Sequence, residues 1–137
     1  MVRHAKILTM EIRKFLRADV EVLLEVKDFD FKELASLLYR NKSLREQSYL
    51  LTINNEDIGF MATERTLSMG ILVVMFYIFP KYRKQGIATK FFKTVITNFE
   101  VGYTFLCYYN KRLSNFYKKL GFTPNDNLTA SIYTINL

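Results

Sequence analysis

Arg83, Lys84, Gln85, Gly86, Ile87 and Ala88 form the segment of this chain best equipped to hold an anion. They lie between a long apolar run and a stretch of helical periodicity, so their backbone includes the unpaired N–H donors of a helix start. Those donors and the positive end of the helix dipole attract negative charge. Gly86 permits close approach and unusual torsions, and Ala88 keeps the first turn narrow. Lys81, Arg83, Lys84 and Lys90 surround the loop with positive charge. A pyrophosphate would be well matched there. The segment lacks the residues of a P-loop and the three glycines of the dinucleotide fingerprint, which sets both of those readings aside. Taken alone, Arg-x-x-Gly-x-Ala equally suits a strand-to-helix turn whose glycine is needed only for steric reasons.

Other chemistries lack their material. The single cysteine, Cys107, excludes an intramolecular disulfide framework and a clustered thiolate metal site, and it reads as a buried strand residue. The single histidine, His4, is too little for a His-rich metal site or a serine–histidine triad, so no metal is expected. Half of the 137 residues are hydrophobic, with 12 Phe and 9 Tyr, which is a globular composition large enough for a core. The N-terminus lacks the apolar stretch of a signal peptide, and the longest apolar run, residues 71–80, is about half of a bilayer span. A cytoplasmic protein of one domain over residues 1–137, not bound to a membrane, is expected. The net charge of +7 suits an anionic partner, whether nucleic acid, membrane surface or a polyphosphate cofactor.

The elements that would position the loop follow from periodicity. Residues 11–16 alternate like a half-buried strand. Asp19 is suited to cap a short helix over residues 20–26 with Val20, Leu23 and Leu24 inward, although residues 22–24 also suit a strand. Asp30 and Glu33 resemble a capping box before a helix with Phe31, Leu34, Leu37 and Leu38 on one face. Residues 48–53 and 58–64 read as a hairpin around a turn at residues 54–57. Residues 71–79 form an apolar, β-branched and aromatic run expected to be a central strand covered on both faces, ended by Pro80. Ile87, Phe91, Phe92, Val95, Ile96 and Phe99 then share a helical stripe. Residues 103–109 return to strand. Leu113, Phe116, Tyr117 and Leu120 mark a short helix closed by Gly121, and residues 131–136 a last strand.

Two of these segments together resemble a known family. Tyr77-Ile-Phe-Pro-Lys-Tyr-Arg-Lys-Gln-Gly-Ile-Ala is similar to the acetyl-CoA-binding motif of the GNAT superfamily of N-acetyltransferases. Asn110 and the following Leu113, Phe116-Tyr117, Leu120 and Gly121-Phe122 resemble its later N-x-x-A-…-F-Y-x-x-L-G-F segment, in the family's order and spacing. The close resemblance covers residues 71–122. It implies an α/β fold of the acyl-CoA N-acyltransferase type, a mixed sheet of about six to seven strands with about four helices. It also implies acetyl-CoA as co-substrate, with direct attack by a primary amine in a ternary complex.

Residue by residue, the resemblance implies that Tyr77, Ile78 and Phe79 offer backbone groups to the pantetheine arm. Arg83, Lys84, Gln85, Gly86, Ile87 and Ala88 would wrap the pyrophosphate. Asn110 and Ser114 would contact the cofactor, and Tyr117 would protonate the leaving thiolate, a phenol and a thiol having neighbouring pKa values. Lys111 and Arg112 either reach the cofactor's 3′-phosphate or are simply solvated. Two departures stand out. The strand of residues 71–79 carries no carboxylate to act as general base, which leaves Glu64 as the nearest candidate or as an exposed strand-end charge. Leu113 replaces a customary small residue. A small-molecule or protein amine is the default acceptor, and a homodimer would be usual for the family. A nucleic-acid-linked amine such as aminoacyl-tRNA, or a non-catalytic CoA-binding regulator, are the alternatives. Acceptor specificity is assigned to residues 19–45 and 123–130.

Overall fold

The computed structural model describes residues 10–66, 68–108, 110–125 and 132–137. Seven strands form one sheet: β1 (Met10–Lys14), β2 (Tyr49–Ile53), β3 (Glu56–Arg65), β4 (Gly70–Ile78), β5 (Thr104–Tyr108), β6 (Thr123–Pro124) and β7 (Ile132–Asn136). Their order is β1-β2-β3-β4-β5-β7-β6, and among the described residues only β4 and β5 run parallel. Among the described residues five α-helices cover it: α1 (Glu21–Leu24), α2 (Lys32–Arg40), α3 (Lys42–Glu46), α4 (Ile87–Ile96) and α5 (Ser114–Leu120). The mixed sheet expected from the sequence is therefore present, at its upper strand count. His4, Tyr109, Ser131 and the part of the second specificity segment at residues 126–130 lie outside the described residues.

Each face of the sheet has its own core. On one, Phe91, Phe92 and Val95 of α4 and Tyr117 of α5 pack on Leu51, Met61, Ile71, Val73, Phe76, Ile78 and Phe105. On the other, Val22 and Leu23 of α1, Ala35 and Leu38 of α2 and Leu44 of α3 pack on Leu50, Phe60 and Tyr77. Burying one such side chain contributes roughly 1.5–3 kcal/mol. The α4 stripe is as its periodicity demands.

Two inward assignments are corrected. Leu24 is 59% exposed and Leu37 47% exposed. Residues 17–20 form a 3₁₀ turn, which shifts the phase of α1 so that Val22 and Leu23 face inward. In α2 the inward stripe runs Phe31, Ala35, Leu38 at helical spacing, leaving Leu37 to the side. Asp19 is not the cap of a helix starting at residue 20; it is the third residue of the 3₁₀ turn and bonds back to that turn's start. Its carboxylate takes both Arg13 Nη atoms at 2.6 and 2.8 Å and the Leu16 N–H at 2.7 Å. Asp30 accepts from the Lys32 N–H at 3.0 Å. Helix α3 was not expected; Asn41 caps it, its Oδ1 accepting the Leu44 N–H at 3.0 Å.

The hairpin turn is tighter than the sequence suggests. Asn54 and Asn55 both take left-handed torsions (φ 51° and 64°), a two-residue connection that matches strand twist. Strand β4 holds the irregularity that matters most. Ala62 pairs with Met75 and Thr63 with Val73, so Val74 is an extra residue, and it is 39% exposed. This bulge reverses the alternation. Ile71 and Val73 before it and Phe76 and Ile78 after it all face the α4–α5 side, whereas Tyr77 turns to the α2 side.

Candidate active site

After Leu72, just before the bulge, β4 and β5 part company. Their register pairs are Gly70–Thr104, Ile71–Phe105 and Leu72–Leu106, and none follows. The gap opens into a cleft of about 520 Å³. One wall is Met75, Phe76, Tyr77 and Ile78 of β4, and the other is Arg112 and Leu113 with Phe116, Lys119 and Leu120 of α5. At its end stand Arg83, Lys84, Gly86, Ile87, Ala88 and Thr89.

The loop has the torsions its anion role requires. Lys84 (φ 62°) and Gly86 (φ 73°) both sit in the left-handed region, and Gly86 immediately precedes α4. That conformation strains Lys84 and suits Gly86. A Cβ on Gly86 would meet no atom within 4 Å, so the space in front of it is open. The Arg83 N–H bonds to Pro80 O at 3.2 Å and the Lys90 N–H to Gly86 O at 3.1 Å. Between them, the N–H groups of residues 84–89 find no acceptor among the described residues. A consecutive row of unpaired donors at a helix start is a concave anion site.

Not every expected contact reaches the cleft. Tyr77, Ile78, Arg83, Lys84, Gly86, Ile87 and Ala88 line it; Phe79, Gln85, Asn110 and Ser114 do not. Phe79 packs on the Tyr77 ring, centroids 5.6 Å apart, on the opposite face of the sheet. The Gln85 side chain bonds to Lys81 O at 3.2 Å. Asn110 Oδ1 accepts the Arg112 N–H at 3.0 Å, and Ser114 Oγ donates to Lys111 O at 3.4 Å, so both shape the turn into α5.

Tyr117 is 4% exposed, within an edge-on aromatic group with Phe116 and Phe122, and it is not among the lining residues. Burial, and secondarily Cys107 nearby, push its phenol well above the ordinary value. The expected closeness to a thiol's pKa is therefore not met. Cys107 is buried, and burial pushes its thiol up to about 12. Glu64 lies exposed on β3 opposite Leu72, five residues before Tyr77 along β4, a separation of roughly 16 Å at strand rise. It is not brought to the cleft.

The sequence reading missed Asp28 and Phe29. Asp28 accepts from the Tyr77 hydroxyl and, at 3.0 Å, from Arg83 Nη2. The Tyr77 hydrogen bond first, then Arg83, hold its carboxyl below the usual range. Burial and the Asp28 bond push the Tyr77 phenol up to about 12. Phe29 lines the cleft with the Arg112 guanidinium 4.3 Å from its ring. An Asp-Phe-Asp-Phe stretch before a helix gives no hint of such partners, because all of them are distant in sequence.

Residues 45–124 match the family model described as an acetyltransferase (GNAT) domain. The chain belongs to the GNAT acetyltransferase family. No curated protein sequence is a match to it. Among solved structures, the ribosomal-protein-S18-alanine N-acetyltransferase of Escherichia coli is 16% identical with a TM-score of 0.69, covering 93% of this chain and 94% of that one. A GNAT family N-acetyltransferase of Escherichia coli in complex with CoA is 16% identical, TM-score 0.70, covering 98% and 85%. The PaiA N-acetyltransferase of Thermoplasma acidophilum in complex with coenzyme A is 18% identical, TM-score 0.66, covering 94% and 99%. At such identities these likenesses speak for the GNAT fold. Among the described residues no helix is long and apolar enough to cross a membrane, and no three His, Cys, Asp or Glu residues are grouped to hold a metal.

Proposed function

We propose that this chain is an N-acetyltransferase that uses acetyl-CoA and a primary amine, the amine attacking directly in a ternary complex. The row of unpaired N–H groups at residues 84–89, closing the cleft between β4 and α5, carries this reading. The cofactor's phosphates suit that row, with Lys84 beside it and Arg112 and Lys119 opposite supplying countercharge. Gln85 takes part through its N–H alone. The β4 edge at residues 75–78, left without a partner strand, suits the pantetheine arm. Two of the similar structures hold CoA, which supports the same use here.

When bound, acetyl-CoA supplies an acyl group activated as a thioester. The residues of this chain then have three tasks. The loop would hold the phosphates; Leu113 and Phe116, set by the turn that Asn110 and Ser114 shape, would close the apolar side; and Tyr117, packed behind Phe116 and not itself lining the cleft, would give the leaving sulfur a proton or a hydrogen bond. Burial keeps that proton on the phenol throughout the neutral range. With Glu64 distant and Asp28 committed to Tyr77 and Arg83, water takes the proton of the amine. Titration calorimetry with CoA, followed by thiol release over a panel of small and peptide amines, tests the reading. Absence of CoA binding sinks it, and binding without transfer to any amine points to a CoA-binding regulator.

A second acceptor class, a nucleic-acid-linked amine, is favoured by the segregation of charge. Residues 65–125 carry ten Lys and Arg against the single acid Glu100. Among the described residues Lys84, Lys90, Lys93, Lys111, Lys118 and Lys119 enter no ion pair. The cofactor's phosphates account for only part of that excess. Salt-sensitive retardation of tRNA in a gel supports this acceptor, and salt-independent or absent retardation removes it.

A further inference from the structure

The segment between α1 and α2 belongs to neither cofactor motif, yet it is fastened to both walls of the cleft. Asp28 uses each carboxylate oxygen once: Oδ1 accepts the Tyr77 hydroxyl, and Oδ2 accepts Arg83 Nη2 at 3.0 Å. Arg83 in turn donates from Nε to Ile78 O at 2.8 Å and lies with its guanidinium 5.0 Å from the Tyr77 ring centroid. The next residue, Phe29, meets Tyr77 edge-on at 5.9 Å and carries Arg112 of the far wall over its ring. Arg83 is therefore fixed at three points immediately before Lys84, the residue held in a strained left-handed torsion.

We propose that Asp28 is a positioning residue for the cofactor: by holding Arg83 against Tyr77 and Ile78 it fixes the backbone of residues 84–86, so that their N–H groups are aligned before any ligand arrives. The inference rests on the acetyl-CoA reading above. Its physical basis is preorganisation. A loop released at Arg83 relaxes the Lys84 torsion, and binding must then order it again. An amide at position 28 keeps one acceptor oxygen, turns the other position into an NH2 donor and carries no charge, so it holds the two donors less well than the carboxylate.

The test is calorimetric titration with CoA of the full chain and of the variants Asp28→Asn, Arg83→Gln, Tyr77→Phe and the Asp28→Asn/Arg83→Gln pair, with amide exchange of the loop and the thermal midpoint recorded for each. Asp28→Asn is expected to weaken CoA roughly tenfold and to speed loop exchange, while kcat at saturating acetyl-CoA stays within about twofold, so the loss falls on KM. Tyr77→Phe, which keeps the ring and removes one donor, is expected to weaken CoA by roughly twofold to fivefold. The pair is expected to lose no more than the worse single variant, because both act through one tether. Undiminished CoA binding by Asp28→Asn and Tyr77→Phe overturns the proposal, as do fully additive losses in the pair. Failure of the unaltered chain to bind CoA overturns the cofactor reading itself, and that outcome is distinct from either.

Discussion

Tyr117 and Tyr77 show how burial assigns different work to the same side chain. Tyr77 is buried against the α2 side with its hydroxyl spent on Asp28, so it is a structural phenol. Tyr117 is equally buried, but its hydroxyl has no hydrogen-bond partner among the described residues. Removing a hydroxyl that makes no hydrogen bond to the described residues costs the fold little. Tyr117→Phe is accordingly expected to leave stability within about 1 kcal/mol. If Tyr117 serves the leaving sulfur, kcat falls on the order of 10²-fold while CoA affinity holds. Denaturant melts and single-turnover transfer measure the two separately, and an unchanged transfer rate would place the proton donor elsewhere. Cys107 beside it is kept as an inert thiol by burial.

At the scale of elements, the bulge at Val74 and the close packing of β3 on β4 shape the cleft. Gly59 lies opposite Ile78 in register, and a Cβ there would fall on Tyr77 O, 2.7 Å from Ile78 Cδ1 and 3.1 Å from Ile78 Cα. Backbone cannot yield as a side-chain tip does. Gly59→Ala is expected to destabilise the chain by about 1–3 kcal/mol through overpacking and to shift the β4 edge that borders the cleft. Urea unfolding reads the first effect and the affinity for CoA the second. A neutral melt would show that β3 has room to move. Much of this level was legible beforehand. The hairpin, the central strand and the α4 stripe came from alternation and helical periodicity in long apolar runs. The bulge was not, because an uninterrupted apolar run looks the same with or without one extra residue.

At the scale of the molecule, charge is divided between the two sides of the chain. Ion pairs Arg83–Asp28 and Lys81–Glu56 tie the basic cofactor loop region to acids of the first half. Asp19 and Asp28 are both held below the ordinary carboxylate pKa. For Asp19, burial works against the charge but is outweighed by the Arg13 hydrogen bonds and the Leu16 N–H. For Asp28 the Tyr77 hydroxyl leads. A carboxylate whose pKa is depressed in the folded state contributes stability that is complete above the unfolded value of about 4 and is lost as pH falls through the lower folded value. The thermal midpoint is thus expected to decline below about pH 4, and Asp19→Asn to decline less over that window while starting lower at neutral pH. Scanning calorimetry across pH 2.5–7 checks both; an identical acid slope in the variant would remove Asp19 from the account.

Sequence alone determined most of the strands and helices, though not α3 or β6, and that Gly86 stands between a central strand and an amphipathic helix, because those are local properties of pattern and torsion. It also carried the family, since both motifs are contiguous runs. Tertiary structure decided what the loop can do. Only in three dimensions does β4 leave β5 after Leu72 and open the cleft. Only there does Asp28 meet Arg83, and only there does the strand path carry Glu64 away. Contacts between residues dozens of positions apart depend on packing and register, and no local pattern encodes either.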